Sequence, residues 1–144
     1  MEKNLFTIKN LKTWNTYDGG GYQFTLYYDG KKFAQVHNDG NGGWVNVDCF
    51  EKEDQTRFDT FIDNLPKWKS SIDGSDMNMT NDIFMDELVN EYELAKKLAK
   101  AKKKGTTFRL LTDGKNMFRT LNVLDLSQAK AYLDQNFPNN YILI

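Results

Sequence analysis

The chemistry available to this chain is narrow, because its 144 residues contain one histidine, His37, and one cysteine, Cys49. Nucleophilic catalysis needs a thiol or hydroxyl beside a base that takes its proton. His37 and Cys49 flank a turn-forming run and would be able to meet, yet neither stands in a catalytic motif. The plainer reading makes His37 an ordinary strand-end residue and Cys49 a small apolar core residue. His37, Asp39, Asp48 and Cys49 supply three types of metal ligand, but structural zinc sites usually use more Cys and His than this chain has, and there is no CxxC or HxxxH spacing. The expectation is therefore no catalytic residue, no metal and no cofactor, with an enzyme or metal protein built on His37 and Cys49 as the last-ranked alternative.

Two stretches offer binding rather than bond-making chemistry. The first is the loop Asn38, Asp39, Gly40, Asn41, Gly42, Gly43, followed by Trp44. It lacks the alternating oxygens and terminal Glu of a calcium loop. It also lacks the order of a GxGxxG or Walker loop. Side-chain-to-backbone turns explain its Asn and Asp residues, and positive φ explains its glycines. Trp44 beside it is either a lid on the core or an interface anchor. The second stretch is Lys96, Lys97, Lys100, Lys102, Lys103 and Lys104, with Arg109, Lys115 and Arg119 further on. Around a helix, Lys96, Lys100, Lys103 and Lys104 are expected near one face. Lysines at a helix C-terminus suit its dipole, and the same lysines would also contact phosphates and release counterions. Lys96, Lys97, Lys100, Lys103, Lys104, Arg109 and Arg119 are the candidate partner- or phosphate-binding residues. Asn38, Asp39, Gly40, Gly42, Gly43 and Trp44 are the candidate loop.

The elements that must position them follow from periodicity. Strands are expected at Leu5–Leu11, Tyr22–Tyr28, Lys31–Asn38 and Trp44–Asp48, with a flexible loop at Asp18–Gly21. Asp29-Gly30 joins the second and third strands as a type I′ hairpin, with Leu26 facing Phe33 and Phe24 facing Gln35. Phe58, Phe61, Ile62 and Leu65 make one stripe on a helix over Glu51–Leu65, which Pro66 stops. A loop is expected over 67–79, then a helix over Asn81–Lys104 with Phe84, Leu88, Tyr92, Ala95, Leu98 and Ala99 inward and Gly105 as its cap. A second Asp-Gly hairpin is expected at Asp113-Gly114, between Thr106–Thr112 and Lys115–Thr120. Asp125 and Gln128 resemble a capping box for a helix to about Asn136 that turns Ala129, Tyr132, Leu133 and Phe137 inward. Tyr141–Ile144 reads as a closing strand. This order gives an α+β fold: a largely antiparallel sheet built from two hairpins and terminal strands, packed against about three helices, as one domain.

Composition narrows the class further. Aromatics make up 14% of the chain, which argues for an ordered core. One cysteine permits no internal disulfide, and charges break every apolar run of the N-terminal stretch. The expected setting is the cytoplasm, with no membrane contact. The net charge of −1 conceals a division. Residues 1–91 hold nine Lys and Arg against sixteen Asp and Glu, net −7, while residues 92–144 hold ten against four, net +6. A bipolar surface is expected.

Residues 22–65 resemble a family of small proteins encoded by phages and bacterial mobile elements. The shared pattern is a strand, Asp29-Gly30, a strand, the Asn38–Gly43 loop, and a helix ending in Asn64-Leu65-Pro66. Family members often carry His where this chain has Asn41 and Cys where it has Trp44, so any role tied to those two side chains is absent here. The resemblance implies a phage protein in a bacterial host cell and supplies no mechanism. Small phage proteins without catalytic motifs commonly act by stoichiometric binding. The expected function is thus a non-catalytic inhibitor of a host defence protein or nucleoprotein, most sharply an anti-CRISPR protein on a Cas nuclease complex. Its charge argues against whole-protein DNA mimicry, and a nucleic-acid-binding module using the lysine-rich helix end is the alternative.

Overall fold

The computed structural model describes residues 1–144. The chain packs as two compact units, Met1–Asn90 and Glu91–Ile144. The charge division falls at the same place. The first unit holds nine Lys and Arg against fifteen Asp and Glu, net −6, and the second ten against five, net +5. The architecture is α+β, as expected, and every strand pairing is antiparallel.

In the first unit, β1 (Phe6–Thr16), β2 (Gly19–Tyr28), β3 (Lys31–Asn38) and β4 (Asn46–Cys49) form one sheet in sequence order. Asp29 and Gly30 have φ of 49° and 79°, the two positive values that a type I′ turn demands. The register beyond that turn differs from expectation. Leu26 pairs with Ala34 and Phe24 with Val36, because Phe33 is an extra residue in a bulge. The bulge lets both Phe33 and Ala34 reach the core. Gly19–Gly21 is not a loop but the start of β2, and Trp14, beyond the expected end of the first strand at Leu11, lies inside β1 opposite Gly21. A Cβ on Gly21 would meet the Trp14 ring at 2.2 Å, so the missing side chain makes room for the indole.

Helix α1 (Lys52–Asp63) and the first part of α2 (Asn81–Lys102) supply Phe58, Ile62, Phe84, Met85 and Leu88 to the same core. The rings of Phe6, Phe33, Phe58, Phe61 and Phe84 form a network with centroids 5.4 to 6.4 Å apart. Full burial of such a side chain is worth roughly 1.5–3 kcal/mol. The buried face of α2 adds Met85 and Val89 to Phe84 and Leu88, whereas Ala95 and Ala99, expected inward, are exposed. Segment 67–79 is not all loop, since β5 (Trp68–Lys69) and β6 (Asp76–Met77) pair as a small ribbon. Alternation over only two residues leaves no readable period.

In the second unit, β7 (Thr106–Leu110) lies between β8 (Arg119–Leu121) and β9 (Tyr141–Leu143). Helix α3 (Leu126–Asn136) packs Leu133 against Phe108 and Leu110, and Leu121, Phe137, Tyr141 and Leu143 complete the core. Asp125 caps α3 as expected, its carboxylate accepting from the Gln128 amide at 2.9 Å. Tyr132 is half exposed rather than inward, its backbone carbonyl accepting from the Asn136 side chain.

The second Asp-Gly pair makes no two-residue turn. Gly114 does not take the positive φ of a type I′ turn, and β7 and β8 are joined by residues 111–118. Asp113 faces back into this connection, accepting from the Leu110 amide at 3.0 Å and from Arg119 Nε and Nη2, each at 2.9 Å.

Candidate phosphate-binding cleft

Helix α2 ends where Lys104 N and Gly105 N both donate to the Ala101 carbonyl, at 3.0 and 3.1 Å. Gly105 does not take the positive φ of a helix-capping glycine. Its role is close approach: a Cβ there would stand 2.1 Å from the Leu121 carbonyl oxygen. That contact draws the end of α2 against β8. Between them opens a cleft of about 320 Å³, walled by Lys97, Lys100, Ala101 and Lys104 on one side and by Thr120 and Asn122 on the other. Successive helical residues turn about 100°, which puts Lys97 and Lys100 about 60° apart on α2, and Lys104 follows in the turn after its end.

The cleft is lined by three lysines, an alanine, a threonine and an asparagine. None of its lysines is in an ion pair, whereas Lys3 is paired with Glu87, Arg57 with Asp54 and Arg119 with Asp113. Three uncompensated cations beside neutral hydrogen-bonding groups suit a phosphate oxygen, with Lys acting as a point charge. Salt bridges within the protein would have satisfied these charges without an anion.

The other candidate cations are placed differently. Lys96 and Lys103 are exposed but do not wall the cleft. Arg109 donates from Nη1 to the Lys115 carbonyl at 3.1 Å. Arg119 is held bidentate by Asp113, whose side chain is only 8% exposed. The Arg119 hydrogen bonds and the Leu110 amide hold the Asp113 carboxyl below the usual carboxylate range, and Asp113 in turn raises the Arg119 guanidinium. These arginines brace the 111–118 connection. Sequence counting found the lysines but missed Thr120 and Asn122, which only the β8 pairing brings to them.

The loop candidate is a fixed structure in the first unit. Asn38 Oδ1 accepts from Gly40 N and Asp39 Oδ1 from Asn41 N, each at 2.9 Å. Trp14 Nε1 donates to the Asp39 carbonyl at 3.0 Å, and Thr16 Oγ1 donates to the Gly40 carbonyl. Gly40, at φ 82°, sits so close to Gly20 and Gly21 that a Cβ would meet their backbone at 2.6 Å. Val45 N donates to Asp82 Oδ1 at 2.9 Å, and Tyr22 donates its hydroxyl proton to Asp86 Oδ1 at 2.8 Å. Gly42 also takes a positive φ, while Gly43 does not. The Gly40, Asn41 and Val45 amides are thus spent on the protein's own oxygens. Trp44, 83% exposed, is no core lid.

His37 and Cys49 do not form a pair. In the β3–β4 ladder His37 stands opposite Asn46 and Cys49 opposite Ala34, so they are three ladder steps apart and on opposite faces. Three steps span about 10 Å. His37 lies on the outer face with its ring 5.7 Å from that of Trp14. Burial, then Asp54, Asp59 and Asp48, push the Cys49 thiol up to about 11, which suppresses the nucleophilic thiolate. No three His, Cys, Asp or Glu side chains gather as metal ligands. No helix is long and apolar enough to cross a membrane.

No protein-family profile, no curated protein and no solved structure matches this chain.

Proposed function

We propose that the protein acts by stoichiometric binding rather than by catalysis, and that its target is a nucleoprotein whose phosphates enter the cleft between α2 and β8. The observation that carries this reading is the convergence of Lys97, Lys100 and Lys104, none in an ion pair, on Thr120 and Asn122. The division of charge supports it. The +5 unit suits phosphate, and the −6 unit suits a basic protein surface. The separation of His37 from Cys49 and the raised Cys49 thiol speak for binding over nucleophilic chemistry.

The sharpest form of the proposal is a phage-type inhibitor of a host defence complex, above all an anti-CRISPR protein acting on a Cas effector in the bacterial cytoplasm. The phage-like pattern across residues 22–65 motivates that form. The cleft also favours a second reading, a nucleic-acid-binding module with no protein partner.

Affinity capture of the tagged protein from a lysate expressing a Cas nuclease, with and without nuclease digestion, separates the two. A stoichiometric protein partner retained after digestion is expected for the inhibitor. Loss of every partner on digestion leaves the nucleic-acid module, and no partner under either condition refutes both.

A further inference from the structure

A second cleft lies within the first unit, lined by none of the candidate binding residues of the sequence analysis. It measures about 310 Å³ and is walled by Leu65, Pro66, Trp68, Met79 and Phe84, with Lys3, Lys67, Lys69 and Glu87 around them. We infer that this cleft seats an unstacked base of a single-stranded nucleic acid against Trp68, with Lys67 and Lys69 on the adjoining phosphates. The inference rests on the proposed nucleic-acid contact and assigns it a second site.

Three observations carry it. The walls are apolar and one is an indole, the side chain best suited to stack on a base whatever its identity. The volume is at the lower end of small-ligand sites, about 300–1,000 Å³, which suits one ring system rather than a folded partner. Its lining also includes three lysines. Lys3 is held by Glu87 at 3.0 Å, which neutralises the one acid of the rim. Lys67 and Lys69, which flank Trp68 in sequence, are in no ion pair.

The platform is preformed, so little ordering is left to offset on binding. Trp68 pairs with Met77 in the β5–β6 ribbon. The turn of that ribbon is closed by Ser70 N to the Ser75 carbonyl at 2.9 Å, and by Asp73 Oδ1 accepting from Ser75 N and Oγ at 3.0 and 2.6 Å. Phe84 beneath is fully buried and cannot yield. A base within a duplex is already stacked and cannot enter, so single strands are the expected ligand.

The test uses the full chain and a fluorescent 12-residue oligothymidylate, read by anisotropy beside an abasic oligomer of the same length. Trp68→Ala is expected to weaken oligothymidylate about fivefold to a hundredfold, the range of one base–aromatic stack. Trp68→Phe should keep most of the affinity, and neither change should alter abasic binding. Lys67→Gln with Lys69→Gln should weaken both oligomers and reduce the salt slope by about 1.4. Equal binding of oligothymidylate by wild type and Trp68→Ala, with the Lys97, Lys100 and Lys104 variant still impaired, overturns this inference alone. No binding of either oligomer or of duplex by the wild type overturns the proposed nucleic-acid contact with it. Should Trp68→Ala fail to fold, the lysine pair, which leaves the apolar walls intact, decides: an unchanged affinity and slope overturns the site.

Discussion

Replacing Lys97, Lys100 and Lys104 together by Gln removes every cation from the α2–β8 cleft and leaves its Thr120 and Asn122 wall intact. The effect on duplex DNA can be worked from the number of lysines. Each phosphate neutralised on B-DNA contributes about −0.9 to the slope of log affinity against log salt, so three contacts give about −2.7. Raising salt fourfold, from 50 to 200 mM, should then weaken the wild type about 40-fold through this cleft. The triple variant should lose that dependence, and each single variant should reduce the slope by about 0.9. A duplex is the right probe because it offers no unstacked base to the Trp68 cleft. Arg119→Gln is the matched control, because that guanidinium is already bidentate on Asp113 and should leave the slope unchanged. Fluorescence anisotropy across a salt series reads all of these. An unchanged slope in the triple variant, or a fall of about 0.9 in Arg119→Gln, would refute the assignment of phosphates to this cleft.

The remaining predictions concern the framework. Gly105→Ala places a Cβ 2.1 Å from the Leu121 carbonyl oxygen. Overpacking of this kind costs about 1–3 kcal/mol, so urea unfolding should show that loss, with weaker phosphate binding although no charge has changed. Cys49, with its thiol pushed up to about 11, should alkylate at pH 8 roughly 100-fold or more slower than an unperturbed cysteine, as followed by mass spectrometry; a rate like that of free cysteine would be incompatible with its burial. Burial raises the Asp86 carboxyl, the Tyr22 hydroxyl bond opposes this, and Asp82 raises it further. A raised folded value means that its contribution is full below the unfolded pKa, about 3.9, and is lost as pH rises through the folded value. Asp86→Asn, whose amide oxygen still accepts from Tyr22, should therefore melt no lower than wild type at pH 7, and any gain should shrink towards pH 4. A penalty larger at pH 7 than at pH 4 would contradict that sign.

Local chemistry was legible in the sequence wherever one short segment decides the outcome. Asp29-Gly30 specifies its own turn because the pair tolerates two positive φ values. Phe58 with Ile62, and Phe84 with Leu88, mark the buried faces of their helices because i and i+4 stack on one side. Asp125 declares the start of α3 because its carboxylate is within reach of the Gln128 amide. The lysine run was equally plain as composition. Which of its lysines share a cleft was decided by tertiary structure: Gly105 against Leu121 brings β8 beside the helix end, which selects Lys97, Lys100 and Lys104 and leaves Lys96 and Lys103 outside it. Asp113-Gly114 has the same turn chemistry as Asp29-Gly30, yet Asp113 pairs with Arg119 and Leu110, and a longer connection results. The bulge at Phe33 is likewise a packing decision, since it delivers both Phe33 and Ala34 to the aromatic core where strict alternation would bury only one. His37 and Cys49 seemed able to meet along the chain, and the parity of the β3–β4 ladder puts them on opposite faces. A sequence states which groups a segment can offer, but pairing register and close approach between distant segments determine which of them share a site.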